Sequence, residues 1–252
     1  MTMKKGKIRL DVKIVELGLA LDLKEASAII MAGEVFVNDQ KEDKPGFLVK
    51  PEQTVRAKSR SRFVSRGGDK LWGAAEDLAL TDSFKGAVVL DCGASTGGFT
   101  DCSLLLGAKQ VYAIEMGFNQ LDWKLKTDDR VISMESTDIR DLKEPLTSAI
   151  SIVLADLSFN SLDRTLKAIR KVTPHYPVSY LLLVKPQFEL EVSLIPAGGV
   201  VNDPSLRDKA IEKVRAAMER EGILLQTAVN SRLKGREGNQ EIFVLGHSVR
   251  PI

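Results

Sequence analysis

Four short apolar runs, separated by segments of helix length, dominate the sequence after Phe63. They cover residues 88–91, 111–115, 150–156 and 180–185. Apolar strands that alternate with helices are typical of a parallel sheet that helices cover on both faces. The pattern therefore predicts an α/β domain whose ligands bind at the carboxyl ends of the strands.

Two further apolar runs close the predicted sheet. Residues 222–229 and 241–245 follow a predicted helix at 205–221. If the last strand runs antiparallel to its neighbours, its first residue lies at the edge where the parallel strands end. Glu241 is then expected at that edge.

The first part of the chain has a different pattern, with two helices followed by short strands. Apolar residues recur at helical spacing over 9–20, and a second amphipathic run begins after Asp22 and ends before Gly33. Residues 35–37 and 54–57 are the predicted strands. These elements form a small α+β domain.

The domain boundaries follow from this change of pattern and from a basic stretch between the two parts. We assign residues 1–58 to the small domain, 59–66 to a basic linker and 67–252 to the α/β domain. A chain of 252 residues with 44% hydrophobic residues is long enough for one large and one small core.

Positive charge is concentrated near the start of the chain. The whole chain carries a net charge of +2, whereas residues 1–70 hold 15 lysines and arginines against 10 acidic residues. A basic region indicates either a polyanionic partner or a solvated surface, and motifs must decide between them. The candidate residues for binding a polyanion such as RNA are Arg9, Lys13, Lys24, Arg60, Arg62 and Arg66.

Composition excludes several other classes of protein. No window approaches the roughly 20 apolar residues of a membrane helix, and the basic start lacks the apolar segment of a signal peptide. Cys92 and Cys102 are too few for a disulfide framework or a four-ligand zinc site. We expect a soluble cytoplasmic protein with reduced, buried cysteines, no metal and no membrane contact.

A glycine-rich turn follows the first apolar strand and leads into a helix. Gly93, Gly97 and Gly98 let the backbone approach a nucleotide closely. The turn lacks the spacing GxGxxG of a dinucleotide site, and it lacks the Lys-Ser/Thr pair of a phosphate-binding loop. The turn therefore argues against a dinucleotide and a nucleoside triphosphate, and a structural turn without a ligand stays open for this loop alone.

Acidic residues that follow the turn complete a predicted cofactor site. Glu115 ends the next strand, where an acidic residue is expected to bind the hydroxyls of a ribose. Asp138 is expected to reach the adenine of the same ligand. An adenosine without pyrophosphate indicates S-adenosylmethionine. The predicted cofactor-binding residues are Asp91, Gly93, Ala94, Ser95, Thr96, Gly97, Gly98, Phe99, Glu115, Asp138 and Asp156.

Charged residues end two of the apolar strands. Asp156 ends one strand and Lys185 ends the next, so both are expected at the same crevice as Glu241. A single charge at a strand end is usually solvated, but two beside a predicted cofactor are harder to explain in that way. Lys70 precedes the sheet, and its local sequence favours an exposed helix lysine.

Five collinear segments together resemble the TlyA family. They read FVSRGGDKL, DCGASTGGFTDC, QLDWKL, VKPQFE and KGREGNQE, and they cover residues 63–71, 91–102, 120–125, 184–189 and 234–241. Members of that family, often named haemolysins, join an S4-type RNA-binding domain to an FtsJ-like (RrmJ-like) methyltransferase domain. The resemblance implies a Rossmann-like fold and 2′-O-methylation of cytidines in ribosomal RNA.

The resemblance also implies a Lys-Asp-Lys-Glu catalytic tetrad. Its members fall on Lys70, Asp156, Lys185 and Glu241. A ribose hydroxyl is a poor nucleophile, and Lys185 is our candidate for the base that removes its proton. The implied partners are ribosomal RNA or ribosomal subunits, with the enzyme a monomer or a homodimer.

The chain departs from the family pattern where basic residues are expected. Residues 22–27 and 197–203 each lack two expected cations, and Asp69 replaces an apolar residue. Three alternatives therefore stay open: an RNA-binding protein with a degenerate methyltransferase domain, a haemolysin-like membrane-lytic protein, and a methyltransferase for small molecules. The third predicts that removal of residues 1–58 leaves activity intact.

Overall fold

The computed structural model describes residues 6–57, 62–146, 149–158, 161–174 and 177–248. The chain divides into two compact units, residues 1–60 and 61–252. Among the helices formed by the described residues, none is both long and apolar enough to cross a membrane.

The first unit packs two short helices beside short antiparallel strands. Its elements are β1 (Ile8–Arg9), α1 (Leu10–Glu16), α2 (Leu23–Met31), β2 (Val35–Val37), β3 (Gln40–Glu42), β4 (Leu48–Val49) and β5 (Val55–Ala57). Strand β2 lies between β3 and β5, and β1 pairs with β4. The apolar faces of α1 and α2 share one small core that contains Leu10, Ile14 and Ile30.

The two helices of this unit begin and end at recognisable signals. The helical spacing continues to Ala20, with Gly18 expected to loosen or end the helix, and α1 ends at Glu16. The reason is Gly18, whose left-handed backbone (φ +68°) terminates the helix. Helix α2 begins as predicted, because the Asp22 side chain accepts a hydrogen bond from the Glu25 amide at 2.8 Å.

The second unit is a seven-stranded sheet with helices on both faces. Its elements are α3 (Arg66–Asp77), β6 (Val88–Cys92), α4 (Gly98–Leu105), β7 (Gln110–Ile114), α5 (Trp123–Lys126), β8 (Val131–Met134), β9 (Ile152–Ala155), α6 (Leu162–Val172), β10 (Ser179–Val184), α7 (Pro186–Glu189), α8 (Pro204–Arg220), β11 (Ile223–Asn230) and β12 (Ile242–Ser248). The strand order is β11-β12-β10-β9-β6-β7-β8, and β12 runs antiparallel to β10 and β11 while the other pairs are parallel. The predicted α/β architecture is confirmed.

Alternate residues of strand β6 pack on the two faces of the sheet. Val89 packs in a core with Leu71 of α3, whereas Leu90 packs in a second core with Leu166 of α6 and Met218 of α8. Both valine and leucine are fully buried, because side chains alternate across a strand whose two faces are covered.

Packing of the second unit begins before residue 67. Phe63, which falls in the predicted linker 59–66, is buried, and its ring centroid lies 6.0 Å from that of Trp72. A Cβ on Gly68 would lie 2.2 Å from this ring, so the glycine admits it. Arg66 is already the first residue of α3.

The strand order reverses beside β6. Strands β7 and β8 lie on one side of β6, whereas β9 and β10 lie on the other. Ligand sites of open parallel sheets lie outside the carboxyl ends of the strands at such a reversal. Because Val184 of β10 pairs with Ile242 of antiparallel β12, Glu241 lies at that same edge, as predicted.

Candidate active site

A cavity of about 570 Å³ opens at this edge of the sheet. Its volume falls in the range of small-molecule sites, roughly 300–1,000 Å³. The start of α3, the loop after β6, the ends of β9 and β10, and the segment before β12 all contribute. The lining residues are Ser65, Arg66, Gly67, Lys70, Gly93, Ala94, Ser95, Thr96, Gly98, Phe99, Asp156, Ser158, Lys185, Gln187, Phe188, Lys234, Gly235, Arg236, Glu237, Asn239 and Glu241.

The loop after β6 brings its backbone close to the end of β9. Gly93 has a left-handed backbone (φ +83°), and a Cβ there would lie 2.7 Å from the carbonyl oxygen of Asp156. Ser95 and Gly97 are also left-handed. A Cβ on Gly98 would meet the start of α3. This side of the cavity is therefore shaped by backbone, and glycine is required where the chain segments touch.

Asp91 lies buried behind this loop. Its Oδ2 accepts a hydrogen bond of 2.7 Å from the Thr100 hydroxyl, but no described residue donates to its buried Oδ1. Burial raises the pKa of Asp91 to about 7, and the negative charges of Asp156 and Glu115 add to the rise while the Thr100 hydrogen bond opposes it. The carboxyl group is thus poised between its two protonation states near neutral pH.

Glu115 and Asp138 hold backbone segments next to the loop. The Glu115 carboxylate accepts from the Ser95 amide at 2.9 Å and from the Gly117 amide at 2.7 Å, so it braces the glycine-rich loop. Asp138 pairs with Arg140, which lowers the pKa of its carboxyl group. Neither carboxylate is among the described groups that line the cavity.

The four predicted tetrad residues meet in the cavity wall as two ion pairs. Lys185 Nζ lies 2.6 Å from the Asp156 carboxylate and donates to the Ser158 hydroxyl at 3.1 Å. Lys70 Nζ lies 2.5 Å from Glu241 Oε2. Lys185 and Glu241 are 8% and 3% exposed, so these charges are largely withdrawn from water.

Lys70 reaches the cavity because of the way α3 packs. Leu71, Ala74 and Ala75 face the core, which leaves Lys70 on the side turned towards β12. The backbone at Gly235 passes so near Glu241 that a Cβ there would lie 2.7 Å from its Oε1. The local sequence predicted an exposed helix lysine, and only the tertiary pairing with Glu241 explains its burial.

Several lining residues were not predicted from the sequence. Ser158 and Gln187 each follow a predicted strand-end charge by two residues, and that spacing is the one signal in the sequence that places them near this edge. Lys234 and Arg236 lie within a quoted motif but had no assigned role. Arg66, a predicted RNA-binding residue, donates to the Lys234 carbonyl oxygen at 3.0 Å and lines the cavity.

The predicted RNA-binding residues of the first unit have acidic neighbours or lie on the surface. Arg9 pairs with Asp11 at 2.6 Å, and Lys13 lies 3.5 Å from Glu16. Lys24 is exposed at the start of α2. The positive charge of this surface is thus partly neutralised within the unit itself.

Arg62 contacts aromatic rings of the second unit. Its guanidinium lies 4.4 Å from the ring centroid of Trp72 and 5.6 Å from that of Phe63. This stacking leaves the positive charge intact while it fixes the side chain. Arg60, the remaining predicted RNA-binding residue, lies outside the described residues.

Comparison with known proteins agrees with this architecture. The model of the FtsJ-like methyltransferase family matches residues 63–248, and that of the S4 domain matches residues 8–55. The chain is 38% identical to the 16S/23S rRNA (cytidine-2′-O)-methyltransferase TlyA of Mycobacterium tuberculosis, over 94% of this chain and 88% of the relative.

Two further relatives carry haemolysin names. The chain is 36% identical to hemolysin A of Brachyspira hyodysenteriae, over 93% of this chain and 97% of the relative. A solved structure from Streptococcus thermophilus, provisionally named a hemolysin, shares 37% identity and a TM-score of 0.73, over 98% of this chain and 90% of that one. The chain therefore belongs to the TlyA family, in which an S4 domain precedes an FtsJ-like methyltransferase domain.

Proposed function

We propose that this methyltransferase uses S-adenosylmethionine to methylate the ribose 2′-hydroxyl of a cytidine in ribosomal RNA. The observation that carries the proposal is a single cavity that joins a glycine-rich loop to two lysine–carboxylate ion pairs. The named activity of the M. tuberculosis relative supports the same assignment.

The residues beside the loop after β6 fit the cofactor. S-adenosylmethionine supplies an electrophilic methyl group on a sulfonium centre. The loop 93–99 offers close backbone approach, and the Glu115 carboxylate keeps lone pairs free for ribose hydroxyls beyond the two amides that it already accepts. Asp91 has a buried oxygen that lacks a donor among the described residues. Asp138 remains our prediction for the adenine side.

Lys185 is the proposed general base. A ribose hydroxyl needs a base to take its proton as it attacks the methyl group. Nζ of Lys185, in its unprotonated form, accepts that proton, and the Asp156 carboxylate at 2.6 Å stabilises the ammonium that results. The Ser158 hydroxyl at 3.1 Å fixes the direction of the amine.

The Lys70–Glu241 pair positions the ribose in this proposal. Glu241 is buried and the Lys70 side chain is 12% exposed, and the short contact between them leaves Lys70 with further N–H donors and Glu241 with further acceptor sites. Such groups orient the neighbouring ribose hydroxyls, and orientation supplies a large part of the rate in a reaction between two bound substrates.

Ribosomal RNA is the proposed substrate because of the first unit and the cavity rim. The S4 domain match covers residues 8–55. Arg66, Lys234 and Arg236 place positive groups at the cavity, where they are able to contact phosphates beside the target ribose. A methyltransferase for small molecules has no need for either feature.

The test uses purified protein, methyl-labelled S-adenosylmethionine, and ribosomal RNA supplied either free or in isolated subunits. After complete digestion to nucleosides, we expect the label in 2′-O-methylcytidine. Label on a base, or no transfer to any of these RNA substrates, would contradict the proposal. Transfer that persists without residues 1–58 would show that the first unit is not needed for substrate binding.

A further inference from the structure

Helix α6 carries a row of cations that the proposed mechanism does not use. Arg164, Lys167 and Lys171 are exposed, and their spacing of three and four residues places them on one side of the helix. Among the described residues, none of the three has an acidic partner; Lys171 makes only a long contact, 3.4 Å, with the Leu142 carbonyl oxygen. We call these three side chains the α6 row.

The one acidic residue of α6 does not neutralise this row. Asp163 pairs with Arg220 of α8 and accepts no contact from the three cations. Helix α8, by contrast, mixes acids and bases along its exposed surface, as in the pair between Arg215 and Glu212. An unmixed basic row differs from the alternating surface that keeps most proteins soluble, and it favours a polyanionic partner.

The row starts at the edge of the sheet where the cavity lies. Helix α6 follows β9, whose end carries Asp156 and Ser158 in the cavity wall. Arg164 is in the first turn of α6, and the helical rise places Lys167 about 4.5 Å and Lys171 about 10.5 Å further along the axis. An RNA strand whose ribose lies in the cavity would therefore pass the edge of the sheet from which α6 begins.

We propose, in an inference that rests on the proposed function, that the α6 row binds the phosphate backbone of the substrate RNA next to the methylated nucleotide. The row holds three positive charges that have no acidic partner among the described residues, and its helix follows the strand end that contributes Asp156 to the cavity wall. Contacts to phosphates position the RNA without reading its sequence. The row thus compensates for the cations that the first unit lacks.

The test replaces Arg164, Lys167 and Lys171 together with glutamine in the full-length protein. Binding to a ribosomal RNA transcript is measured by fluorescence anisotropy over a range of salt concentrations. We expect about tenfold or greater weakening at physiological salt, and a salt dependence that is shallower by about two, because each lost phosphate contact removes about 0.7 from the slope for a single strand.

A matched control removes three other exposed cations of the second unit: Lys109, Lys209 and Arg215, again to glutamine. It changes the net charge equally but leaves the α6 row intact, so we expect affinity and slope close to those of the unchanged protein. Equal losses in both triple variants would reduce the effect to overall charge and overturn the proposal.

Folding and function are checked separately. Because the three side chains are exposed, we expect unchanged circular dichroism and unchanged S-adenosylmethionine affinity. Unchanged RNA affinity in the α6 variant would overturn the proposal. The remaining explanation for this surface would then be a protein partner. If the unchanged protein binds RNA through this row but transfers no methyl group to it, the proposed function fails and the binding surface stands.

Discussion

The two sides of the cavity are built from different parts of the chain. On the side of β6 the wall is mostly backbone, and Gly93 touches the carbonyl of Asp156 because it has no side chain. On the side of β10 and β12 the wall contains two ion pairs, in which Lys185 and Glu241 are buried and their partners Asp156 and Lys70 are partly exposed. Backbone contacts select the shape of a ligand, whereas charged groups move protons and orient hydroxyls. Changes on the two sides should therefore separate cofactor affinity from turnover.

The largest expected effect is on the charged side. Lys185→Ala removes the proposed base, so we expect methyl transfer to ribosomal RNA to fall by about 10²–10⁴-fold. S-adenosylmethionine affinity should stay within a few-fold of the original value. Transfer of labelled methyl groups and calorimetry measure the two quantities. Lys209→Ala, an exposed lysine of α8, is the control. Undiminished turnover in Lys185→Ala would remove this residue as the base.

The next effect is on the backbone side. Gly93→Ala places a methyl group 2.7 Å from the Asp156 carbonyl oxygen and strains a left-handed backbone. We expect cofactor affinity to fall about tenfold or more. Gly86 is a matched control, because its backbone is also left-handed (φ +71°) but nothing lies within 4 Å of an added Cβ. Equal cofactor affinity in the two alanine variants would mean that close approach at Gly93 is not needed for binding.

A stability effect is expected behind the loop. Burial raises the pKa of Asp91 to about 7, whereas the pKa of an aspartate in an unfolded chain is ~3.9. Between these values the folded protein holds a proton that the unfolded chain has released. The free energy of unfolding therefore falls as pH rises from about 4 to 7, by an amount on the order of 2–4 kcal/mol, and it stays lower above that range.

Asp91→Asn should remove this pH dependence. We expect the variant to match the original protein at about pH 4 and to exceed it in stability by about 2 kcal/mol or more at pH 8, as measured by urea denaturation. Asp129→Asn, at an exposed aspartate, serves as the control. An original protein whose stability is equally high at pH 8 and at pH 5 would be incompatible with the raised pKa.

The smallest effects compare the cavity rim with the first unit. Arg66→Glu places a negative charge at the cavity and breaks the contact with the Lys234 carbonyl. Arg9→Glu acts in the first unit, where Asp11 already neutralises the arginine. We expect both to weaken RNA binding, Arg66→Glu by about tenfold and Arg9→Glu by less, with cofactor affinity unchanged. RNA affinity that is equal to the original across a salt titration would contradict both assignments.

Most of the α/β unit could be predicted from its sequence, because buried strands and the helices that cover them leave strong patterns of apolar residues. The same logic placed Asp156, Lys185 and Glu241 at one edge, since strand ends meet there. Lys70 came only from the family resemblance. Its burial depends on a partner 171 residues away, and no local pattern records such a contact.

The short strands were harder to predict. Strand β3 (Gln40–Glu42) has no apolar residue, and it is not among the strands predicted from the sequence. It forms because its backbone pairs with that of β2, and this backbone pairing does not depend on the pattern of side chains. The cavity-lining residues Ser158 and Gln187 were missed for a related reason: a single polar residue in a loop or in a four-residue helix carries no periodic signal.

The most direct test of the central claim is a map of ribose methylation in ribosomal RNA from three otherwise identical strains. One strain carries the unchanged gene, one carries the Lys185→Ala gene, and one carries no copy. We predict 2′-O-methylated cytidine in the first strain and its loss from the other two. The same methylation in all three strains, or its retention with Lys185→Ala, would contradict the account.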